Sequence, residues 1–318
     1  MKYNFYLAGV LPLKCGGGLD VFVKSNKVKE YLSAYSLILP AFIFLTIFTY
    51  YPILKSFWLS LFKYDLSTPS PIFAGFSNYY QMFNTPLFWK VLRNNLWYGL
   101  GTVLLSVSLG LLFAVLFNRK RLRAKGFFRL SFFYPHLLPM AAASMVWLWM
   151  YNPGYGIIDL FLKKLGLPHN IDWVNDGRYA LLAVIIVAIW KYIGFYMIIF
   201  LAGLQNIDEE LYEASVIEGA NSWQKFRYIT LPLLTPTIFF VTIIAIINSF
   251  QAIDQVFVMT YGGPYNSTNV LLFYIYENAF MYWNLGYASA LSFFLLAILL
   301  IGSVIYFRYS RLWVRYER

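Results

Sequence analysis

Two stretches of this 318-residue sequence hold residue types whose spacing could do chemistry. The first reads Asp208-Glu209-Glu210-Leu211-Tyr212-Glu213-Ala214-Ser215-Val216-Ile217-Glu218-Gly219. Clustered carboxylates could serve acid–base catalysis, but these crowd the start of a segment with helical spacing, where the helix dipole favours negative charge. Gly219 stands where a left-handed C-terminal cap would sit. Asn221 and Ser222 can then cap a second short helix, Trp223 to Ile229, which Leu231-Pro232 ends. The pattern predicts a helix, a sharp glycine turn and another helix, a unit built for docking rather than turnover. On spacing alone it also reads as a plain amphipathic connector.

The second stretch, Trp190-Lys191-Tyr192 with Phe195 and Tyr196, lies inside a long apolar run. An ionisable side chain at mid-bilayer costs at least about 2.5 kcal/mol by insertion scales, so Lys191 needs a reason to be there. Asn248, Ser249, Gln251, Asp254 and Gln255 gather toward the outer half of another run. Aromatic faces beside hydrogen-bonding groups suit a sugar, whose ring carries both apolar C–H patches and hydroxyls. Two readings of Lys191 stay open: it lines a solute path, or it pairs with an acid on a neighbouring helix or partner chain, the amides being interhelical glue. His136, in Tyr134-Pro135-His136-Leu137-Leu138-Pro139, reads as structural because the prolines indicate a kinked span.

Other chemistries are excluded. Cys15 is the only cysteine and there are two histidines, His136 and His169, so neither an intramolecular disulfide nor a zinc centre can be built from them. Gly16-Gly17-Gly18 is followed by Leu19-Asp20 and lacks the Gly-Lys-Ser/Thr ending that cradles phosphate.

The elements that must position these groups are membrane helices. The chain is 60% hydrophobic and 12% charged, where a soluble domain carries roughly a quarter charged residues. Runs long enough to cross a bilayer core recur at Tyr35 to Leu54, Leu96 to Phe117, Leu130 to Met150, Ala180 to Leu201, Leu233 to Ile253 and Leu285 to Phe307. They predict an all-α polytopic bundle of about six transmembrane helices, because unpaired backbone groups in lipid are too costly for anything but helices or closed barrels. The net charge of +11 sits between apolar spans instead of lining a groove, which argues for membrane orientation and against nucleic acid.

Lys24, Lys27 and Lys29, the cluster Arg119, Lys120, Arg121, Arg123, Lys125 and Arg129, and Arg308, Arg311, Arg315 and Arg318 all fall on one side. Lys55, Lys63, Lys90, Arg93, Lys163, Lys164 and Arg178 are spread over longer loops on the other, so both termini are expected in the cytoplasm. Residues 1–30 read as a cytoplasmic tail: Lys14 precedes Cys15 where a lipoprotein cleavage site needs a small residue. In one outer loop Ile158, Phe161, Leu162 and Leu165 fall at helical spacing with Asp159, Lys163 and Lys164 off that face, predicting a short amphipathic helix at the surface.

Glu213-Ala214-Ser215, three residues, Gly219, nine residues, then Ile229-Thr230-Leu231-Pro232 resembles the EAA motif of permease subunits of binding-protein-dependent ABC importers, with Ser215 for the usual second alanine. Phe73-Ala74-Gly75-Phe76-Ser77-Asn78-Tyr79, and Thr260-Tyr261-Gly262-Gly263-Pro264 with Asn266, Ser267 and Thr268, extend the resemblance from about Tyr31 to the C-terminus, so residues 31–318 form the permease domain. Within the family the chain looks most like the carbohydrate-uptake branch of maltose, lactose and glycerol-3-phosphate permeases.

The resemblance implies coupling to an ATPase through Glu213, Ala214, Ser215, Gly219, Ile229, Leu231 and Pro232, and alternating access for a sugar-like solute. The expected solute-path residues are Trp190, Lys191, Tyr192, Tyr196, Asn248, Gln251 and Asp254. The implied partners are a cytoplasmic ABC ATPase dimer holding ATP and Mg, a second homologous permease and an extracytoplasmic solute-binding protein, in a bacterial or archaeal plasma membrane. This chain then binds no cofactor and is not an enzyme. An ion-coupled secondary transporter is the alternative, but intramembrane acids are few and no internal repeat is visible. A membrane enzyme would want paired acids or a metal cluster at one face.

Overall fold

The computed structural model describes residues 19–65, 67, 70–118 and 124–314, with side chains from residue 31 onward. Cys15, the Gly16–Gly18 cluster, Arg119, Lys120, Arg121, Arg123, Arg315 and Arg318 lie outside the described residues, as do the side chains of Lys24, Lys27 and Lys29. The described residues fall into two units that divide after Lys55.

The fold is all-α, as expected. From the N-terminal unit α1 (Leu19–Leu45) runs through a wider turn, Thr46–Tyr50, into α2 (Tyr51–Ser60), within which the two units divide. In the larger unit the strands β1 (Phe62–Lys63) and β2 (Ile72–Phe73) pair antiparallel, Phe62 opposite Phe73. Then follow α3 (Ser77–Asn84), α4 (Pro86–Phe117), α5 (Lys125–Leu137), α6 (Met140–Met150), α7 (Ile157–Lys164) and α8 (Ala180–Gln205). The second half comprises α9 (Glu209–Ile217), α10 (Ser222–Lys225), α11 (Leu231–Leu233), α12 (Thr235–Phe250), α13 (Asp254–Met259), α14 (Leu271–Tyr276) and α15 (Leu285–Ser310).

Among the described residues four helices are long and apolar enough to cross a membrane: Tyr31–Ser60, Pro86–Phe117, Ala180–Gln205 and Leu285–Ser310. A fifth crossing results if Ser222–Leu233 and Thr235–Phe250, which meet at 68°, count as one bent span. The remaining expected run, Leu130 to Met150, is not one helix. Pro139 excludes the helical conformation at Leu138, which is extended, so α5 stops at Leu137 and α6 restarts at Met140. Pro232 behaves differently from expectation. It sits in the first turn of α11, where its missing N–H breaks no bond, so the helix passes through it and the bend falls at Leu234.

The helix α8 is the hub, with most of its span buried against α4, α5 and α12. Its neighbours put large apolar side chains outward: Leu96, Trp97, Leu100 and Leu104 of α4 are exposed while Asn94, Asn95, Tyr98, Thr102 and Ser106 face inward. That reversal of the soluble pattern suits a helix solvated by lipid, where small and polar groups make the interhelical contacts. Gly194 shows how closely α8 and α5 approach, since a Cβ there would overlap the Phe132 carbonyl.

The amphipathic helix in the loop exists as α7, but its faces are redistributed. Asp159, expected off the apolar face, is buried, accepting from the backbone N–H of Gly154 at 3.1 Å and from that of Asn170. Ile158 and Leu162 are half-buried beside it, whereas Phe161 and Leu165 are exposed.

Candidate functional site

The segment after α8 folds into a hairpin whose turn is fixed from both sides. At the end of α9, the N–H of Ala220 donates to Ser215 O at 2.9 Å and that of Gly219 to Val216 O at 3.0 Å. This is the paired bonding of a Schellman cap, and it requires the left-handed conformation that Gly219 takes, φ +77°. Immediately after, Asn221 Oδ1 accepts from Gln224 N at 2.9 Å while Asn221 N donates to Gln224 Oε1 at 2.8 Å, a reciprocal capping box. The second limb starts at Ser222 and runs on to Leu233 rather than stopping at Ile229. The Tyr212 and Thr230 hydroxyls meet at 2.9 Å and tie the limbs together.

The expected coupling residues divide by direction. Glu213, Ala214 and Gly219 face outward. Ser215 is buried, its hydroxyl turned back to Tyr212 O at 2.7 Å, so of the two small residues only Ala214 presents itself. Ile229 packs with Tyr212 on the apolar cluster under the hairpin, and Leu231 and Pro232 are half-buried. Outward contact falls instead to residues not singled out from sequence: Ile217, 88% exposed, with Val216, Trp223 and Tyr228. Their signal was an excess of large apolar residues flanking a polar glycine turn. A groove of about 340 Å³ between the limbs is lined by Ser215, Gly219, Lys225 and Tyr228, and one of about 670 Å³ at the hairpin base by Asn118, Gln205, Asp208 and Tyr212.

Inside the bundle α4, α8 and α12 build a polar seam. Tyr98, Thr102 and Ser106, one helical turn apart, face Tyr192, Tyr196, Asn248 and Ser249 around a space of about 10 Å³, room for at most one water. Asn248 Nδ2 reaches the Tyr196 hydroxyl at 3.4 Å, Gln255 Nε2 donates to the Tyr98 hydroxyl at 2.6 Å, and the rings of Tyr192 and Tyr196 stack at 5.9 Å. Of the expected path residues the structure brings Tyr192, Tyr196 and Asn248 together here. Trp190 turns away to meet Trp147 edge-on at 5.6 Å, while Gln251 and Asp254 lie exposed beyond the end of α12. The α4 hydroxyls were missed, although their spacing at every fourth residue in an apolar run was the available sign.

Lys191, one residue from the seam and so about 100° round the helix, points at the break between α5 and α6. Its ammonium donates to Leu138 O, to His136 O at 3.3 Å and to Pro135 O at 3.5 Å. These carbonyls lie at the end of α5, where the helix dipole is negative, and Pro135 O also accepts from Leu138 N at 3.3 Å. The His136 ring stacks on Phe195 at 4.3 Å beside it.

At the opposite end of α4 a third construction holds the Thr260–Thr268 motif. Lys90 Nζ donates to Tyr265 O at 2.6 Å, Asn94 Nδ2 to Asn266 O at 2.8 Å and Asn269 O at 3.0 Å, and Asn95 Oδ1 accepts from Leu271 N at 3.1 Å. Asn269 in turn donates to Glu277 Oε2 at 2.7 Å, and burial pushes the Glu277 carboxyl above the ordinary carboxylate range although that bond opposes it. In a neighbouring loop Arg178 bonds Asp176 at 2.6 Å and holds its carboxyl below that range. Lys90 and Asn118 lie near the two ends of the 32-residue α4, about 48 Å long, so this loop and the hairpin are at opposite faces of the bundle. Among the described residues no group of three or more His, Cys, Asp or Glu converges as a metal site would require.

Comparison with known proteins places the geometry in context. Residues 106–314 match the family model for binding-protein-dependent transport system inner membrane components. A probable ABC transporter permease of Pyrococcus horikoshii is 35% identical over 86% of this chain and 94% of its own. The sulfoquinovosyl glycerol transport permease of Agrobacterium fabrum is 36% identical over 88% and 91%, and the lactose transport permease of Rhizobium radiobacter 32% over 90% and 97%. A chain of a bacterial alginate ABC transporter, solved in complex with an alginate pentasaccharide-bound periplasmic protein, superposes with a TM-score of 0.79 at 22% identity, covering 90% of this chain and 96% of that one.

Proposed function

The chain belongs to the family of binding-protein-dependent transport system inner membrane components, and from that premise we propose that it is one permease subunit of an ATP-driven importer for a sugar or sugar-like solute. As a multi-pass membrane transport component it is not itself an enzyme.

The observation that carries the coupling half of the proposal is the hairpin. Exposed Ile217, Trp223 and Tyr228 surround a turn held rigid by the Gly219 cap and the Asn221 box, a surface made to seat in a partner. In this reading the partner is a cytoplasmic ABC ATPase dimer, which holds ATP and Mg. Its closure pushes Glu213, Ala214, Ile217 and Trp223, and the Tyr212–Thr230 link passes the motion to α12. Both termini then lie in the cytoplasm, with residues 1–30 the tail and 31–318 the permease domain of a bacterial or archaeal plasma membrane protein.

The sugar half is supported by the substrates in the relatives' names, lactose and sulfoquinovosyl glycerol, and by the seam. Stacked Tyr192 and Tyr196 offer flat apolar faces, and Tyr98, Thr102, Ser106, Asn248 and Ser249 offer hydroxyl and amide partners. A second permease subunit supplies the other wall, an extracytoplasmic solute-binding protein delivers the solute, and the closed seam is one state of an alternating-access cycle.

The test is reconstitution of the chain in vesicles with its co-purifying permease, ATPase and loaded solute-binding protein, followed by mass spectrometry of the solute carried. Uptake that needs all four components and ATP is the expected result. Uptake that persists without the ATPase would instead make the chain an ion-coupled secondary transporter.

A further inference from the structure

Ile157, Leu160 and Phe161 on α7 and Leu165 at its C-cap are large apolar side chains, each half exposed or more. At about 100° per residue they occupy one arc of about 140°, with Lys164 in its middle. The opposite arc carries Ile158, Leu162 and the buried Asp159.

The inner arc is firmly held. Asp159 accepts two backbone N–H groups, from Gly154 before the helix and Asn170 after it. Leu167 N bonds Leu162 O at 3.0 Å and Gly166 N bonds Lys163 O at 3.1 Å, closing the helix with a second Schellman cap. Ile158 packs on the core cluster that includes Tyr151. The helix therefore cannot roll to hide its apolar arc, and that arc must meet something other than water.

Its place says what. It begins just beyond the end of α6, and Met145, Val146 and Trp149 of α6 are exposed apolar residues that continue into Tyr155 and the α7 arc. Exposed apolar side chains thus continue along the chain from the short apolar helix α6 through Tyr155 onto α7. Lys163 and Lys164 at the last turn and the amphipathic rings of Trp149 and Tyr155 complete the composition of a helix lying at a membrane surface.

We propose that α7 is an interfacial anchor whose Ile157, Leu160, Phe161 and Leu165 insert into the headgroup boundary of the lipid bilayer on the side opposite the hairpin, with Asp159 as the latch that orients it. The occupant is lipid, and the two lysines favour phospholipids carrying negative charge.

The full chain with Cys15→Ser removes the only cysteine, so single cysteines at Leu160, Phe161 and Lys163 can be spin-labelled in vesicles of phosphatidylethanolamine and phosphatidylglycerol. Collision with dissolved oxygen, which concentrates in lipid, is compared with collision with a water-soluble nickel chelate. The oxygen-to-chelate ratio is expected to be several-fold higher at 160 and 161 than at 163. A label at Leu165, one turn on, must rank with 160 and 161, which guards against a local effect of either label. High chelate collision at 160, 161 and 165 would place the arc in water and overturn the proposal. Low collision with both reagents would overturn it too, by showing that protein covers the arc.

Discussion

The Tyr212 hydroxyl sits 2.9 Å from the Thr230 hydroxyl, joining residues 18 apart across the two limbs of the hairpin. If that contact transmits motion from α9 toward α12, Tyr212→Phe and Thr230→Val will each leave assembly intact and lower the solute moved per ATP. One such bond is worth about 1 kcal/mol. In the double variant the loss should be no larger than in either single one, because both remove the same link. Additive losses measured in reconstituted vesicles would dissolve the pair.

Gly219 has φ +77° and open space where a Cβ would stand, so Gly219→Val meets a conformational penalty only, about 1 to 2 kcal/mol. The variant should insert normally and copurify less ATPase, while Gly219→Asn, which tolerates the left-handed region, retains more. Ala214→Trp and Ile217→Asp alter exposed positions and should leave thermal stability within about 0.5 kcal/mol of the parent. Both should still lose ATPase binding. Unchanged copurified ATPase in all of them would make the hairpin a passive connector.

Removing the ammonium of Lys191 leaves the carbonyls of Pro135, His136 and Leu138 without their shared donor. Lys191→Met should destabilise the bundle by about 1 to 3 kcal/mol, read as a lower midpoint of heat-induced aggregation, with transport falling in step. Lys191→Arg keeps donors and should recover part of both. A variant that loses transport at full thermal stability would assign Lys191 to the solute path.

For the seam, Thr102→Val, Ser106→Ala and Tyr196→Phe each remove one hydroxyl of the cavity lining. Each should raise the apparent KM of uptake about two- to tenfold, the equivalent of about 0.5 to 1.5 kcal/mol, with basal ATP hydrolysis unchanged. Trp190→Phe, outside the seam, serves as the comparison and should move KM little.

Glu277 gives a pH signature. Its carboxyl is raised by burial, so the folded state holds that proton more tightly than the unfolded chain. Stability from this group is full below the ordinary carboxylate range, near 4.3, and declines as pH rises toward the raised value. Glu277→Gln retains an acceptor for Asn269 without the charge, so it should raise the melting temperature at pH 7.5 and flatten its pH dependence. A variant no more stable than the parent at neutral pH would show the carboxylate to be well solvated.

What the amino-acid sequence determined by itself was whatever depends on local period and composition. Long apolar runs must become helices in lipid, and Gly219 followed by Asn221 must turn the chain, because these outcomes need only neighbouring residues. For the same reason the family, carried by the spacing from Glu213 to Pro232, was legible before any contact was known. Facing was not. Ser215 turns inward while Ile217 turns out, Trp190 leaves the seam that Tyr192 enters, and Asp159 goes under its helix instead of over it. Each depends on what packs opposite. The surroundings of Lys191 were least accessible of all, since the acceptors it meets are backbone carbonyls more than fifty residues away, brought together where Pro139 breaks a span. No side chain signals such an acceptor, and only the tertiary approach of α5 to α8 through Gly194 brought the ammonium within reach of it.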